Sequence, residues 1–208
     1  MNNLYKSILI LPIFLIGCAP NIIEEKKDFA KEINSLDLNI FSKNGEKKYT
    51  ITSPHSIYDN FKNEFQFQKT TINIFKGDQT EYIINSDKAT LSDNNKILEL
   101  EGNIEIKTIN QEDDYLFADN FIWNIDETNY LLTGNIKFEN KNVILTSGKA
   151  KMGSDNIIEF FNPVKYIIKE KNTDNKYEIN SDNAYYNLNT ESMSFKAKDK
   201  RVKSIIYF

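Results

Sequence analysis

Few side chains in this chain have the types and spacing that catalysis or metal binding requires. The 208 residues contain one cysteine, Cys18, and one histidine, His55. A zinc site of the Cys/His type needs several such ligands, and a Ser-His or Cys-His nucleophile needs a histidine as its base. We therefore expect no metal site and no cofactor, and we interpret His55 as a structural or surface residue.

Paired carboxylates are the remaining candidates for chemistry. Asp113/Asp114 and Asp126/Glu127 are adjacent acids of the kind that hydrolyse glycans. Such a pair needs an apolar pocket that raises the pKa of one acid, whereas both pairs lie in polar stretches typical of turns. We predict that the protein is not an enzyme. A hydrolase of envelope glycans stays open as an alternative, which glycan turnover dependent on one of these acids would support.

The N-terminus carries the strongest local signal. The apolar run ILILPIFLIGC at residues 8–18 follows Lys6 and is too short to cross a bilayer, which takes about 20 residues. Its length is typical of a secretory signal, and its end, LIGC, resembles the bacterial lipobox. The sequence predicts a signal peptide at residues 1–17 and lipid attachment at Cys18. The alternative is a free cysteine in an uncleaved signal anchor.

The charge pattern of the remaining residues indicates a polar tether and argues against a nucleic-acid-binding protein. Residues 18–34 are polar and charged, which predicts a lipidated tether before a folded domain at residues 35–208. The net charge is −4, Arg201 is the single arginine, and no basic stripe occurs, so we expect no binding to nucleic acid.

A repeated pattern extends over the folded domain. Gly-Asn-Ile followed by alternating apolar residues occurs at Gly102 and, 32 residues later, at Gly134. Each glycine motif is preceded by an equivalent position, Ser86 in one unit and Ala118 in the next. The same position recurs at Ser53, Ser147 and Ser181, and the five positions are spaced by 33, 32, 29 and 34 residues. A fixed period of this size is typical of stacked supersecondary units.

Within each unit the apolar residues alternate with polar ones. Period two indicates strands with one apolar face, and clusters of Asn and Asp between them indicate turns. One unit cannot bury its apolar face alone, whereas stacked units can. The pattern therefore predicts an all-β domain of about five stacked repeats, each of two to three strands, in one long antiparallel sheet folded over itself. Gly102 marks either a bend in this sheet or an ordinary turn.

The apolar lining of such a sheet has two explanations that the pattern leaves open: a self-filled core, or a groove for lipid. Trp123 is a residue of the core or of the groove mouth. The candidate groove residues are Ile51, Ile84, Leu98, Leu100, Ile104, Ile106, Leu116, Leu132, Ile136 and Phe138.

Two stretches and the repeats resemble a known family. LDLNIF at residues 36–41 and YTITSP at residues 49–54 resemble the opening of the LptC family of lipopolysaccharide export proteins. The Ser-Asp-x-Ala and Gly-Asn-Ile units resemble the repeats of the wider OstA-like group, which includes the soluble carrier LptA. The resemblance implies a single twisted antiparallel β-jelly roll with an apolar interior groove.

The resemblance also implies a function. Such a protein takes lipopolysaccharide from an inner-membrane ABC transporter, shields its acyl chains, and passes it to an LptA-like periplasmic bridge protein by edge-strand pairing. The alternatives are a structural or adaptor lipoprotein with a filled roll, and a soluble-type carrier. Family members are held by a transmembrane helix, whereas this sequence offers a lipid on Cys18. We expect a membrane-anchored protein that faces the periplasm, with the inner membrane favoured over the outer.

Overall fold

The computed structural model describes residues 30–92, 94–109, 114–153, 155–169, 176–187, 189–190, 192–198 and 201–207. The signal peptide, Cys18 and most of the predicted tether lie outside these residues. The described part of the chain is built from β-strands, and it contains no helix that could cross a membrane. The first strand begins at Ala30, inside the stretch that the sequence predicted as a tether.

The described residues form twelve strands that follow one another along the chain. Their bounds are β1 Ala30–Phe41, β2 Lys47–Asp59, β3 Glu64–Lys76, β4 Gln79–Ser92, β5 Ile97–Thr108, β6 Tyr115–Asn124, β7 Asn129–Glu139, β8 Val143–Met152, β9 Ile157–Lys169, β10 Lys176–Asn187, β11 Ser192–Lys196 and β12 Lys203–Tyr207. Each strand from β1 to β11 pairs antiparallel with the next, and β12 pairs with β10. The five predicted positions fall on β2, β4, β6, β8 and β10, so each repeat contributes two strands.

The sheet folds over itself into two layers. Layer A contains the strand halves joined by the turns β1–β2, β3–β4, β5–β6, β7–β8 and β9–β10, and layer B contains the halves joined by the turns in between. Tyr49 on β2 and Trp123 on β6 have ring centroids 5.1 Å apart. In a flat sheet four strands would separate them by about 19 Å. The predicted all-β jelly roll is confirmed.

Every long strand bends near its middle, where the sheet turns from layer A to layer B. The pairing register shifts there, for example between Glu101 and Ile104 on β5 and between Thr133 and Ile136 on β7. Gly102 and Gly134 both have φ of +76°, which glycine adopts without strain. The glycine motif is therefore the corner of the roll rather than a hairpin turn, which decides between the two explanations of Gly102.

The corner explains the other repeated residues. Asn103 Nδ2 donates to Asp87 Oδ2 at 2.7 Å, and Asn135 Nδ2 donates to Asp119 Oδ2 at 2.8 Å. A Cβ atom at Gly134 would lie 2.5 Å from that Asp119 oxygen, so the close approach needs glycine. The aspartate of one strand and the Gly-Asn of the next thus form one interlocked bend.

A buried serine hydroxyl completes most corners. It donates to the carbonyl oxygen two residues later, with distances of 2.7 to 3.0 Å from Ser53, Ser86, Ser147 and Ser181. In the third repeat Ala118 takes this position. Because a bulge leaves backbone groups out of the ladder, a short hydroxyl that bonds locally is suited to this position.

Candidate functional site

The candidate site is the apolar interior between the two layers. Of the ten predicted groove residues, seven are at most 4% exposed, and these are Ile51, Ile84, Leu98, Leu100, Ile104, Leu132 and Ile136. Ile106, Leu116 and Phe138 are half-buried and pack against the same core cluster. Leu98, Leu100 and Leu132 lie on layer B and the other seven on layer A, so the structure brings all ten together. Whether any of them contacts lipid stays a prediction.

Aromatic rings join the layers on the side opposite the corners. Besides Tyr49 and Trp123, Phe138 on β7 contacts Tyr186 on β10, with ring centroids 6.1 Å apart. Tyr166 on β9 contacts Phe195 on β11 at 5.1 Å. We call these three ring pairs the aromatic seam. The seam covers the interior between the two rows of hairpin turns, and a molecule that enters from that side must separate its rings.

Two tyrosines of the seam, Tyr49 and Tyr166, are uncharged at neutral pH. Burial, with a smaller contribution from the Asp126 carboxylate, raises the pKa of Tyr49 to about 12. Burial also raises the pKa of Tyr166. Tyr82 and Tyr130 lie close to the seam, and burial followed by the charge of Glu81 raises the pKa of both phenols. Neutral phenols next to aliphatic side chains suit contact with hydrocarbon.

Four buried polar atoms among the described residues have no hydrogen-bond partner: Tyr49 Oη, Ser56 Oγ, Thr70 Oγ1 and Trp123 Nε1. All four lie on β2, β3 or β6, at the N-terminal end of the interior. Trp123 is 6% exposed, so the structure places it in the core as well as on the seam. The period-two pattern identifies these residues as inward-facing but gives no sign that their polar atoms lack partners.

The C-terminal end of the interior is less enclosed. Tyr177 and Ile179 on β10 are half-buried, as are Met193 and Phe195 on β11. Ile206 on β12 is 49% exposed. Strands β11 and β12 each have five residues and together pair with the two halves of β10. The last strand position is therefore filled by two short pieces rather than by one bent strand.

Among the residues that the structure describes, those considered for catalysis do not form a site. Asp126 and Glu127 are exposed in the turn after β6, and Asp126 pairs with Lys96 at 3.6 Å. Asp113 lies outside the described residues. His55 is half-buried and lies in the layer B half of β2, where it pairs with Gln68 on β3. Solvated acids of this kind lack the apolar pocket that acid catalysis needs.

Comparison with known families gives an independent result. The family model described as "Lipopolysaccharide-assembly, LptC-related" matches residues 24–152, which is more than half of the 208 residues. The matched stretch covers β1 to β8 and all ten groove candidates. No curated protein matches the chain.

Proposed function

The chain belongs to the LptC-related family of lipopolysaccharide assembly, and from this membership we propose that its roll shields lipopolysaccharide acyl chains and passes them along the interior. The membership confirms the resemblance found in the sequence. It places the chain in a transport family of the cell envelope, not in a family of enzymes.

The observation that carries the proposal is the continuity of the apolar interior. Inward side chains of every strand from β2 to β10 lie in one hydrophobic cluster, from Tyr49 to Ala184. Exposing a chain of about 12 carbons to water costs roughly 9 kcal/mol, at about 0.8 kcal/mol for each methylene. A largely apolar wall along the length of the roll removes most of that cost at each step of the transfer.

The closed interior also defines how lipid enters. Residues such as Ile104 and Leu98 are at most 1% exposed, so a chain reaches them only when the layers separate. Separation at the aromatic seam leaves the corners and the backbone ladder intact. The acyl chains then lie between the layers while the sugar headgroup stays in water outside the row of turns.

In this proposal the partner proteins bind at the two edges of the sheet. Within the described residues, β1 pairs only with β2, and β11 and β12 pair only with β10, so each edge presents a free ladder of backbone groups. Free edges recruit further strands. We assign the open C-terminal edge to an LptA-like bridge protein and the β1 edge to the inner-membrane ABC transporter. A lipid on Cys18 would hold the protein at the inner membrane, facing the periplasm.

A second function has its own supporting observation. Most of the inward residues of β2 to β5 are almost fully buried, as a filled roll requires. Under that alternative the protein is an adaptor lipoprotein whose edges recruit partners while its interior holds no lipid.

Photo-crosslinking separates the two functions. A photoreactive residue is placed at Ile104, which faces inward, and at Glu105, which faces outward on the same strand. Phe195 and Ser194 form the same kind of pair on β11. In cells that make lipopolysaccharide, we expect adducts at Ile104 and Phe195 and not at Glu105 and Ser194. A folded protein without adducts at either inward position would favour the adaptor.

A further inference from the structure

Two of the unpartnered polar atoms belong to rings that contact each other at the N-terminal end of the aromatic seam, with centroids 5.1 Å apart. Tyr49 is the third residue of β2, and Trp123 is the residue before the last of β6. Tyr49 is 0% exposed and Trp123 is 6% exposed. Tyr49 Oη and Trp123 Nε1 both lack a hydrogen-bond partner. Buried polar groups without partners are uncommon in folded proteins, and two in one contact call for an explanation.

The chemistry of the two groups defines what would satisfy them. An indole N–H only donates hydrogen bonds, and the phenol of Tyr49, which is neutral at physiological pH, also has a proton to donate. A complementary ligand therefore brings an acceptor oxygen. The surrounding core residues Ile51 and Phe121 are apolar and buried, so that oxygen must be attached to an apolar group.

Charge narrows the acceptor further. The carboxylate of Asp126 acts on Tyr49, and an anionic acceptor there would be repelled as well as desolvated. A neutral ester or amide carbonyl meets both conditions. Such a carbonyl stands at the root of an acyl chain, between hydrocarbon and a polar headgroup. The Tyr49–Trp123 pair belongs to the core, yet the exposed Asp126 carboxylate acts on Tyr49, so apolar core and a charged surface group are both close to the pair.

We propose that Tyr49 Oη and Trp123 Nε1 form a binding site for the neutral ester or amide carbonyl at the root of a lipid acyl chain. The proposal rests on the proposed lipid-shielding function and adds to it. The apolar walls hold the chain without regard to its length or position, whereas this pair fixes the depth at which the chain enters.

Two detergents test the site, because they share chain length and a disaccharide head but differ in linkage. Sucrose monododecanoate has an ester carbonyl, whereas dodecyl maltoside has only a glycosidic ether oxygen and no carbonyl. Each is titrated below its micelle concentration into the mature protein, with binding measured by calorimetry. We expect the ester to bind about 3- to 10-fold more tightly than the ether, the range for a small number of hydrogen bonds. Trp123 is the single tryptophan, so its emission should move to longer wavelength with the ester only.

The variants identify the atoms. Tyr49→Phe keeps the ring and removes the unpaired hydroxyl, so the protein should fold and the preference for the ester should fall about 2-fold or more. Trp123→Phe should lower it similarly. Tyr166→Phe removes a phenol from the other end of the seam and should leave the preference unchanged.

The outcomes separate this site from the function on which it rests. Equal binding of ester and ether by the wild-type protein would overturn the carbonyl site and leave the groove standing, with a trapped water as the partner of both groups. Binding of neither detergent would overturn both. An ester preference that survives Tyr49→Phe and Trp123→Phe would place the carbonyl elsewhere and overturn the assignment.

Discussion

One position of the repeat, which we call a column, is buried to different extents at the two ends of the roll. Ile51, two residues before the corner on β2, is 0% exposed. Ile179 has the same place in the last repeat, on β10, yet it is half-buried and stands outside the core cluster of the described residues. The two side chains are identical and so is their position in the motif, so the neighbouring strands make the difference.

The neighbours differ in length and continuity. β2 lies between the twelve-residue β1 and the thirteen-residue β3, and its layer A half meets β6 across the interior. β10 has β9 on one side and only the two five-residue strands β11 and β12 on the other. A repeat is thus closed by the repeat that follows it. The last one stays open until another sheet continues it, which fits the edge assigned above to a bridge protein.

The largest expected effect comes from truncating this column at both ends. Ile51→Ala should lower the free energy of unfolding by about 3 kcal/mol, because it leaves a cavity that the closed end cannot collapse. Ile179→Ala should cost about 1 kcal/mol, because its side chain is already partly solvated. Urea unfolding measures both. Equal losses would show that the C-terminal end is as tightly packed as the N-terminal end.

Corners provide the next comparison. Gly134→Ala should destabilise the protein by about 2 kcal/mol, since it combines a positive φ with a Cβ 2.5 Å from the Asp119 oxygen. Gly153→Ala is the matched control, because the nearest atom to its Cβ lies at 3.7 Å, and it should change stability little. Thermal unfolding measures the stability of both variants. An unchanged stability of Gly134→Ala would mean that the bend does not depend on the Gly-Asn interlock.

The smallest expected effect is a loss of stability at acidic pH. Two outward carboxylates in the last repeats have pKa values below the ordinary 4.5. For Glu159, desolvation raises the pKa, but hydrogen bonds from Lys151, Tyr185 and Asn183 outweigh it. For Glu178, hydrogen bonds from Asn180 and Lys165 lower it.

Because both folded-state values are lowered, the stability they contribute is present above the unfolded-state pKa and is lost as pH falls through the folded value. The urea concentration at the unfolding midpoint should therefore fall when the pH is lowered below about 4.5. This fall should be smaller for Glu178→Gln than for the wild type. Glu99→Gln, on the outer face of β5, is the control. If Glu178→Gln keeps the full acid dependence, the C-terminal ion pairs do not stabilise the open end.

Local features of the fold were predictable from the sequence. The alternation of apolar residues gives the inward face of each strand, and the fixed spacing gives the repeat. Gly102 and Gly134 indicate the corners because an interlocked bend requires a backbone that only glycine adopts easily. Strand β1 begins at Ala30, before the domain start predicted at residue 35. It is a mostly exposed edge strand, and the stretch from Ala30 to Asn34 has no continuous apolar face that would indicate a strand.

Contacts across the interior were not predictable in the same way. Whether Tyr49 meets Trp123 depends on how far the sheet coils between β2 and β6, which is the sum of many small strand twists. The degree to which Ile51 and Ile179 are covered depends on the lengths of the strands beside them and on what lies across the interior. The candidate groove residues could therefore be named, but neither the seam that covers them nor the unpaired Tyr49 and Trp123 atoms could be.

The corner has a consequence for how proteins of this design change in size. Each repeat adds two strands and hence about 10 Å along the axis of the roll. Its corner is made by residues of the same repeat, such as Ser86, Asp87 and Gly102-Asn103. Tandem duplication of one unit of 32 or 33 residues would lengthen the roll without altering its bore. Length is thus encoded by the number of copies and width by the composition of a single copy, so evolution can adjust one without redesigning the other.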